Sequence, residues 1–296
     1  HNHKAFSVLV DVDTVWVGTA DGINKGVIQS DGCINWEHFS LDDGLGGDWI
    51  VGIELQNFNT FNRIWLISWT SSYKQNGRTI ISPHNLTFSD NGGESWNTIT
   101  QFKDMGVAVY NLFFSAEYII ASTDYGAYIS DINDGMFWSK IPITSDQNGK
   151  RILTDFIYAS ITIEDNNYLF GTEDGLSLVS SQGLTLDNIH FYESPSIFSV
   201  YPNPILINYH NLVGNDGHAR FIYFNPEDYL GSIDVFDFSM DQVIHLDNQS
   251  QTDKPDDNEI IWNCRNQYGD KVANGVYFCR LFLNGEYFWT KLAVIN

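Results

Sequence analysis

Short apolar or alternating runs rich in Val, Ile, Phe, Tyr and Trp recur along the whole chain, and Asp-Gly, Asn-Gly and Gly-Gly turns separate them. Alternation with a period of two is typical of strands, and these turn pairs are typical of hairpins. Long stretches with the apolar spacing of a helix are missing. The pattern therefore predicts an all-β protein.

The first two thirds of the chain repeat one pattern at intervals of about 50 residues, a period that suits one sheet of four strands. A strand followed by a Thr-x-x-Gly turn begins at Val15, Ile119 and Tyr168, and Ile64-Trp65-Leu66-Ile67 occupies the matching place in the remaining unit. One such sheet cannot bury both of its faces alone, so we expect the four sheets to stack around a common axis as propeller blades. The predicted blades span residues 6–40, 48–100, 106–142 and 151–193.

Four blades are fewer than most propellers contain. The chain also begins without an initiator Met or a charged-then-apolar signal segment. Both observations favour a chain from which upstream blades are absent. A four-bladed ring and pairing with a second chain are the alternatives.

The turn between the third and fourth strands of the second unit reads Ser89-Asp90-Asn91-Gly92-Gly93-Glu94-Ser95-Trp96. It resembles the Asp-box of sialidase-type (BNR) propeller repeats, Ser-x-Asp-x-Gly-x-Thr-Trp, and the run at 15–23 resembles two-component-regulator-type propeller repeats. The resemblance implies a structural turn in which side chains bond backbone amides, glycine takes a positive φ and tryptophan covers the turn. Its residues would be Ser89, Asp90, Asn91, Gly93 and Trp96.

The repeat stops near residue 195, and residues 196–296 have the size of one immunoglobulin-like sandwich. A Tyr-Pro-Asn-Pro stretch at 201–204 is the expected connector or first edge strand, because proline lacks an amide donor. The further strands are expected at 219–224, 232–238, 242–246, 259–264, 275–283 and 287–295.

This tail resembles the FlgD-like immunoglobulin fold and the related C-terminal sorting domains of type IX secretion cargo. Met240 stands where the family has a turn glycine, and Asn263-Cys264 stands where it has Asp-Gly. The resemblance implies a bacterial protein exported to the cell surface or beyond it, with a tail that serves sorting, anchoring or assembly. The matching stretches, in order, are 201–204, 233–237, 261–266, 269–278 and 291–295.

The chain carries 15 Lys and Arg against 37 Asp and Glu, a formal net charge of −22. Such a surface repels phosphate, which argues against nucleic acid and against anionic membrane surfaces as partners. Runs of 18 apolar residues, which a membrane helix needs, are also missing. We therefore expect neither nucleic-acid binding nor membrane insertion.

Catalytic groups are scarce. The sialidase resemblance implies three substrate-binding arginines from different blades, but the blade region has only Arg63, Arg78 and Arg151 and lacks an Arg-Ile-Pro motif. We therefore assign no catalytic residue. Paired carboxylates for glycoside hydrolysis are the alternative, because their spacing is spatial and leaves no sequence signature. The acids near predicted blade ends are Asp42, Asp43, Glu54, Asp104 and Asp155.

No cofactor is predicted, because phosphate-binding and dinucleotide-binding motifs are missing. Calcium is the one candidate metal. Clustered carboxylates make candidate ligands of Asp11, Asp13, Asp253, Asp256 and Asp257, although none follows the spacing of a helix-loop-helix calcium loop. The other interpretation is that they are solvated loop acids.

The three cysteines make neither a zinc pattern nor a disulfide framework. A single bridge between Cys264 and Cys279 would form if their strands pair. Two thiols that fill packed positions are the alternative interpretation.

These observations predict an exported, non-catalytic propeller protein that presents loops to a protein or glycan partner. A secreted polysaccharide-active hydrolase, with catalytic residues upstream or at the acidic blade ends, is one alternative. A structural subunit of an extracellular assembly, formed by self-association, is another. Exposed aromatic side chains would form a stacking surface for sugars, unless they pack between sheets instead. The candidates are Trp49, Trp65, Trp69, Tyr73, Phe113 and Phe114.

Overall fold

The structure is a computed structural model, and it describes residues 4–75, 77–143, 145–190, 197–247, 250–251 and 257–296. Within these residues the chain is nearly all β, which confirms the prediction of an all-β protein. Helical structure in the described part is limited to α1 (Thr100–Met105) and two short 3-10 turns, Leu41–Asp43 and Glu164–Asn166.

Eighteen strands lie among the described residues up to residue 190. They are β1 (Ala5–Asp11), β2 (Thr14–Thr19), β3 (Gly22–Ile28), β4 (Ile34–Phe39), β5 (Trp49–Asn57), β6 (Asn62–Trp69), β7 (Ser71–Gln75), β8 (Arg78–Ser82), β9 (Asn85–Ser89), β10 (Asn97–Thr98), β11 (Val109–Phe114), β12 (Tyr118–Thr123), β13 (Gly126–Asp131), β14 (Ser139–Ile141), β15 (Ile157–Thr162), β16 (Tyr168–Thr172), β17 (Gly175–Val179) and β18 (Thr185–His190).

These strands form four sheets of four strands each, with the orders β1-β2-β3-β4, β10-β9-β6-β5, β11-β12-β13-β14 and β15-β16-β17-β18. We call them the first, second, third and fourth sheets. β7 and β8 form a separate hairpin. Three of the sheets are therefore built from consecutive strands, and in the second sheet the β7–β8 hairpin lies between β6 and β9 along the chain.

The alternating pattern of the second unit also predicts a single strand over residues 79–89, but the structure divides this stretch into two strands. Residues 78–82 pair with 71–75 in the β7–β8 hairpin, and only Asn85–Ser89 pairs with β6 in the second sheet. Pro83 lies between the two segments, and it lacks the amide hydrogen that a central strand needs.

The chain divides into two compact units, residues 1–141 with 157–161 and residues 142–156 with 162–296. The domain limit predicted at residues 195 and 196 lies in 191–196, outside the described residues. The predicted division into a blade region of 1–195 and a sandwich of 196–296 stays a prediction.

In the first unit, β6 of the second sheet contacts both the first and the third sheets, because successive side chains of a strand point to opposite faces. On β6, Ile64 and Leu66 pack in one cluster with Trp16 of the first sheet. Trp65 and Ile67 pack in another cluster with residues of the third sheet. Burial of each such side chain stabilises the fold by about 1.5–3 kcal/mol.

The second unit continues with eleven strands in the described part of the tail. They are β19 (Phe198–Tyr201), β20 (Ile205–Leu206), β21 (Leu212–Val213), β22 (Asp216–Gly217), β23 (Ala219–Phe224), β24 (Ser232–Phe236), β25 (Gln242–Asp247), β26 (Ser250–Gln251), β27 (Asp257–Trp262), β28 (Gly275–Leu283) and β29 (Glu286–Ile295).

Two larger sheets carry the core of this tail. One has the order β19-β23-β27-β26, and the other, which we call the five-stranded sheet, has the order β20-β29-β28-β24-β25. Their buried side chains, among them Phe221, Trp262, Val235 and Leu281, form a single apolar cluster. The Tyr-Pro-Asn-Pro stretch contributes Tyr201 to the end of β19, which pairs with β23.

Candidate functional site

The first strand of each of the four sheets has an aromatic residue at its first or second position. Phe6, Trp49, Tyr110 and Tyr158 lie at the first or second position of β1, β5, β11 and β15. The ring centroids of Phe6 and Trp49 are 5.5 Å apart, and those of Tyr110 and Tyr158 are 5.4 Å apart. Trp69, the last residue of β6, pairs with Trp49, and its ring lies 6.0 Å from that of Tyr110. We call these five side chains, all in the first unit, the aromatic row.

The aromatic row is partly exposed to solvent and partly packed against the protein. Phe6, Trp69 and Tyr158 are 42–45% exposed, whereas Trp49 and Tyr110 are half-buried. The indole N–H of Trp69 donates to the carbonyl oxygen of Val109 at 3.4 Å. The backbone of the following sheet therefore helps to orient one of the exposed rings.

Polar groups border the aromatic row. The Asp124 carboxylate accepts the backbone N–H of Ala108 at 2.9 Å, and burial raises the pKa of this carboxyl group. The Thr70 hydroxyl lies 2.9 Å from Nδ1 of His84. Burial, together with the charges of Asp124 and Tyr158, raises the pKa of Tyr110 to about 12. Tyr110 is therefore a neutral hydroxyl at neutral pH and can both donate and accept a hydrogen bond.

The aromatic row contains only part of the predicted stacking surface. Trp49 and Trp69 belong to it, but Trp65 is fully buried and packs against Trp138, so the packing interpretation is the right one there. Phe113 and Phe114 lie at the opposite end of β11, and the side chain of Tyr73 lies outside the described part. Phe6, Tyr110 and Tyr158 are not among the predicted residues, and their common signal is an aromatic residue at the first or second position of each repeat's first strand.

The turn after β9 has an internal hydrogen-bond network. The Ser89 hydroxyl donates to the Asn91 side-chain oxygen at 2.9 Å and accepts the Gly93 N–H at 2.9 Å, and Asn91 also accepts the Ser95 N–H at 3.0 Å. Gly93 has φ +98°, and a Cβ there would come within 3.0 Å of the Phe39 ring. Trp96 packs edge-on against the same ring. The turn therefore fixes the packing of the second sheet on the first.

Arg63 is occupied by structural contacts. Its Nε and Nη2 donate to the two Asp90 carboxylate oxygens at 2.6 and 2.9 Å, and its guanidinium stacks 4.0 Å from the centre of the Phe88 ring. The third nitrogen donates to the carbonyl oxygen of Asp134 at 2.8 Å. This arginine links the turn to its sheet and is not available to hold a substrate carboxylate.

The calcium candidates are spread along the chain. Asp11 accepts a hydrogen bond from the Asn62 amide at 3.0 Å, and Asp13 accepts one from Thr14 at 3.3 Å. Asp253 and Asp256 lie outside the described residues, as does the side chain of Asp257. Among the described residues, no group of three or more His, Cys, Asp and Glu side chains is arranged to hold a metal ion.

Cys264 and Cys279 are both buried as free thiols in the structure. Burial raises the pKa of each thiol to about 12. Thiolate is the nucleophilic form of cysteine, so neither group is reactive at neutral pH. Both side chains form part of the apolar cluster of the second unit.

Two of the acids proposed for hydrolysis, Asp43 and Asp155, have local structural contacts. Asp43 accepts the Ser40 N–H at 2.9 Å in the cap of a 3-10 turn, and Asp155 accepts the Gly214 N–H at 3.2 Å. Asp104 is exposed in α1, and burial raises the pKa of Glu54 on β5. An open cavity of about 490 Å³ in the first unit is lined by neutral residues such as Gln56, which supply no acid or base.

A buried ionic cluster in the second unit has no signal in the sequence. Arg220 donates to Asp174 at 2.7 Å and also to Glu259, and none of the three side chains is more than 2% exposed. Burial raises the pKa of Asp174, while the Arg220 charge and the Leu153 N–H oppose that shift. The cluster joins the turn between β16 and β17 to β23 and β27.

No protein-family model matches the sequence, and no curated protein matches it either. Solved structures give remote similarity only. The chain aligns over 99% of its length with 44% of the extracellular domain of BT4673 from B. thetaiotaomicron, at 13% identity and a TM-score of 0.33. Two crystal structures describe that domain as part of a one-component or a hybrid two-component system. Dimeric latent PorU from Porphyromonas gingivalis aligns over 32% of its length at 12% identity and a TM-score of 0.27.

The chain therefore spans less than half the length of these solved structures. Separately, none of the helices in the described residues has the length and apolar character needed to cross a bilayer.

Proposed function

We propose that this protein is an exported, non-catalytic propeller protein that binds neutral glycans on the aromatic row. Its tail is a FlgD-like immunoglobulin sandwich that serves sorting, anchoring or assembly at the bacterial cell surface. The observation that carries the proposal is the aromatic row, to which the first strand of each of the four sheets supplies a ring, with three ring pairs 5.4–6.0 Å apart.

Stacked aromatic rings suit the faces of sugar rings. The C–H groups on one face of a pyranose form a flat apolar patch, which packs on an aromatic ring, while the hydroxyl groups at its rim need hydrogen-bond partners. Phe6, Trp69 and Tyr158 offer the exposed ring faces. Asp124 and Thr70 lie at the border and offer polar groups.

The negative charge of the protein indicates which class of glycan it binds. The chain has a net charge of −22, and Asp124 lies beside the aromatic row. An acidic sugar would be repelled by both. A neutral oligosaccharide with apolar ring faces is the ligand class that fits.

The propeller assignment is supported by the repeat of four-stranded sheets and by the packing of β6 against both the first and the third sheets. The Asp-box assignment is supported by the Ser89 and Asn91 hydrogen bonds in the turn. The FlgD-like assignment is supported by two sheets that share one apolar cluster.

A glycan array tests the proposal, followed by titration calorimetry on the best neutral oligosaccharide. We expect Trp69→Ala and Tyr158→Ala each to weaken binding by about tenfold or more, which corresponds to about 1.4 kcal/mol. Trp289→Ala is the matched control, because this side chain is 50% exposed but lies in the second unit. Unchanged binding by both row variants, or the absence of any glycan ligand, would contradict the proposal.

A further inference from the structure

The first sheet has one covered face and one open face. Trp16 and Ile23 pack against the second sheet. On the opposite face, strand register places Val8 beside Val17, Val10 beside Val15, and Ile28 beside Ile34. Val8 and Val10 are 62% and 61% exposed. The open face of the first sheet consists of Val8, Val10, Val15, Val17, Ile28, Ile34 and Trp36.

The same positions are buried in the next two sheets. Val15 and Val17 correspond in the repeat to Ile64 and Leu66, and to Ile119 and Ala121. Ile64 and Leu66 are buried against the first sheet, and Ile119 and Ala121 are buried in the cluster shared with the second sheet. The open face is thus the kind of surface that a neighbouring sheet covers elsewhere in this molecule, and apolar patches of this kind mark interaction surfaces.

The fourth sheet offers a complementary face. Leu169 pairs with Leu178, and Leu176 pairs with Ile189, so their side chains share one face. Leu169 corresponds in the repeat to Trp16 and Trp65. Each of these tryptophans covers the face of the following sheet that corresponds to the open face of the first sheet. Ile189 is 45% exposed, and the three leucines are half-buried. We call these four residues the leucine face of the fourth sheet.

We propose that two copies of this chain associate head to tail, with the open face of the first sheet in one copy against the leucine face of the fourth sheet in the other. The contact continues the stacking that already joins the first, second and third sheets. Because the two faces differ, the contact is heterologous and gives a closed ring or an open filament.

The charge of the chain opposes this association. Two copies with a net charge of −22 repel each other, while the contacting faces are apolar. Salt screens the repulsion and leaves apolar burial in place. Association should therefore strengthen as the ionic strength rises.

Sedimentation equilibrium over a range of concentrations tests the proposal. The wild-type chain should reach at least twice the monomer mass of 33.7 kDa. Val8→Asp and Ile189→Asp should each sediment as monomers, because each variant loses one of the two faces. Val276→Asp, at an exposed valine of the second unit, is the control and should associate like the wild type.

Mixing the two monomeric variants tests whether the contact is head to tail. A head-to-tail contact predicts a 1:1 complex, because Val8→Asp keeps the leucine face and Ile189→Asp keeps the open face. Circular dichroism verifies that both variants are folded. A wild-type monomer at every concentration and salt level, or a mixture that stays monomeric, would overturn the proposal. The open face of the first sheet would then be the surface for a different partner.

Discussion

Val12 and Met240 are exposed side chains at backbone angles that suit glycine. Val12 has φ +54° in the β1–β2 turn, and Met240 has φ +66° in the turn before β25. Positive φ brings Cβ close to the following carbonyl oxygen, and the penalty is largest for a β-branched residue. The resemblance proposed for the tail expects a glycine at this turn, and Met240 takes the positive φ that favours glycine.

Replacing these residues with glycine tests the strain. Val12→Gly should raise the free energy of unfolding by about 1 kcal/mol, and Met240→Gly by less, because methionine is not β-branched. Val276→Gly in β28 is the control and should lower it, because glycine is unfavourable in a strand. Urea unfolding measures all three. A loss of stability in Val12→Gly would show that the turn is not strained.

At the scale of elements, charged side chains of three strands meet on one face of the five-stranded sheet. His245 Nδ1 on β25 lies 2.6 Å from Asp234 of β24, and its Nε2 lies 3.2 Å from Asp247. Arg280 of β28 donates to the other Asp234 oxygen at 2.7 Å. The hydrogen bond to Asp234 raises the pKa of His245 despite partial burial, and the charge of Asp247 adds to the shift.

This cluster predicts a pH dependence of stability. Because the folded pKa of His245 exceeds its unfolded value of about 6.5, its stabilising contribution is complete below that pH and is lost as the pH rises through the folded pKa. NMR titration should find the pKa of His245 above 6.5 in the wild type and closer to 6.5 in Asp234→Asn. From pH 6 to pH 8, the unfolding free energy should fall more steeply in the wild type than in Asp234→Asn. Equal pKa values in the two proteins would contradict the account.

At the scale of the whole molecule, the sequence predicts strands well because alternation and turn residues are local signals. The fold class and most strands follow from them, and the hairpin of β7 and β8 differs because Pro83 interrupts pairing. The aromatic row could be predicted only in part. It depends on which strand ends meet in space, so the local pattern indicates Trp69 as a candidate but not Tyr110 or Tyr158. The Arg220 cluster joins residues far apart in the chain and has no local signal at all.

The proposal that sugars stack on the aromatic row is tested most directly by a crystal structure of the chain with its best oligosaccharide ligand. We predict a pyranose ring packed about 4 Å from the ring plane of Trp69 or Tyr158, at the distance of optimal carbon–carbon contact, with a hydroxyl group near Asp124 or Thr70. A sugar bound elsewhere, for example beside Trp289, with the aromatic row still in contact with solvent, would contradict the account.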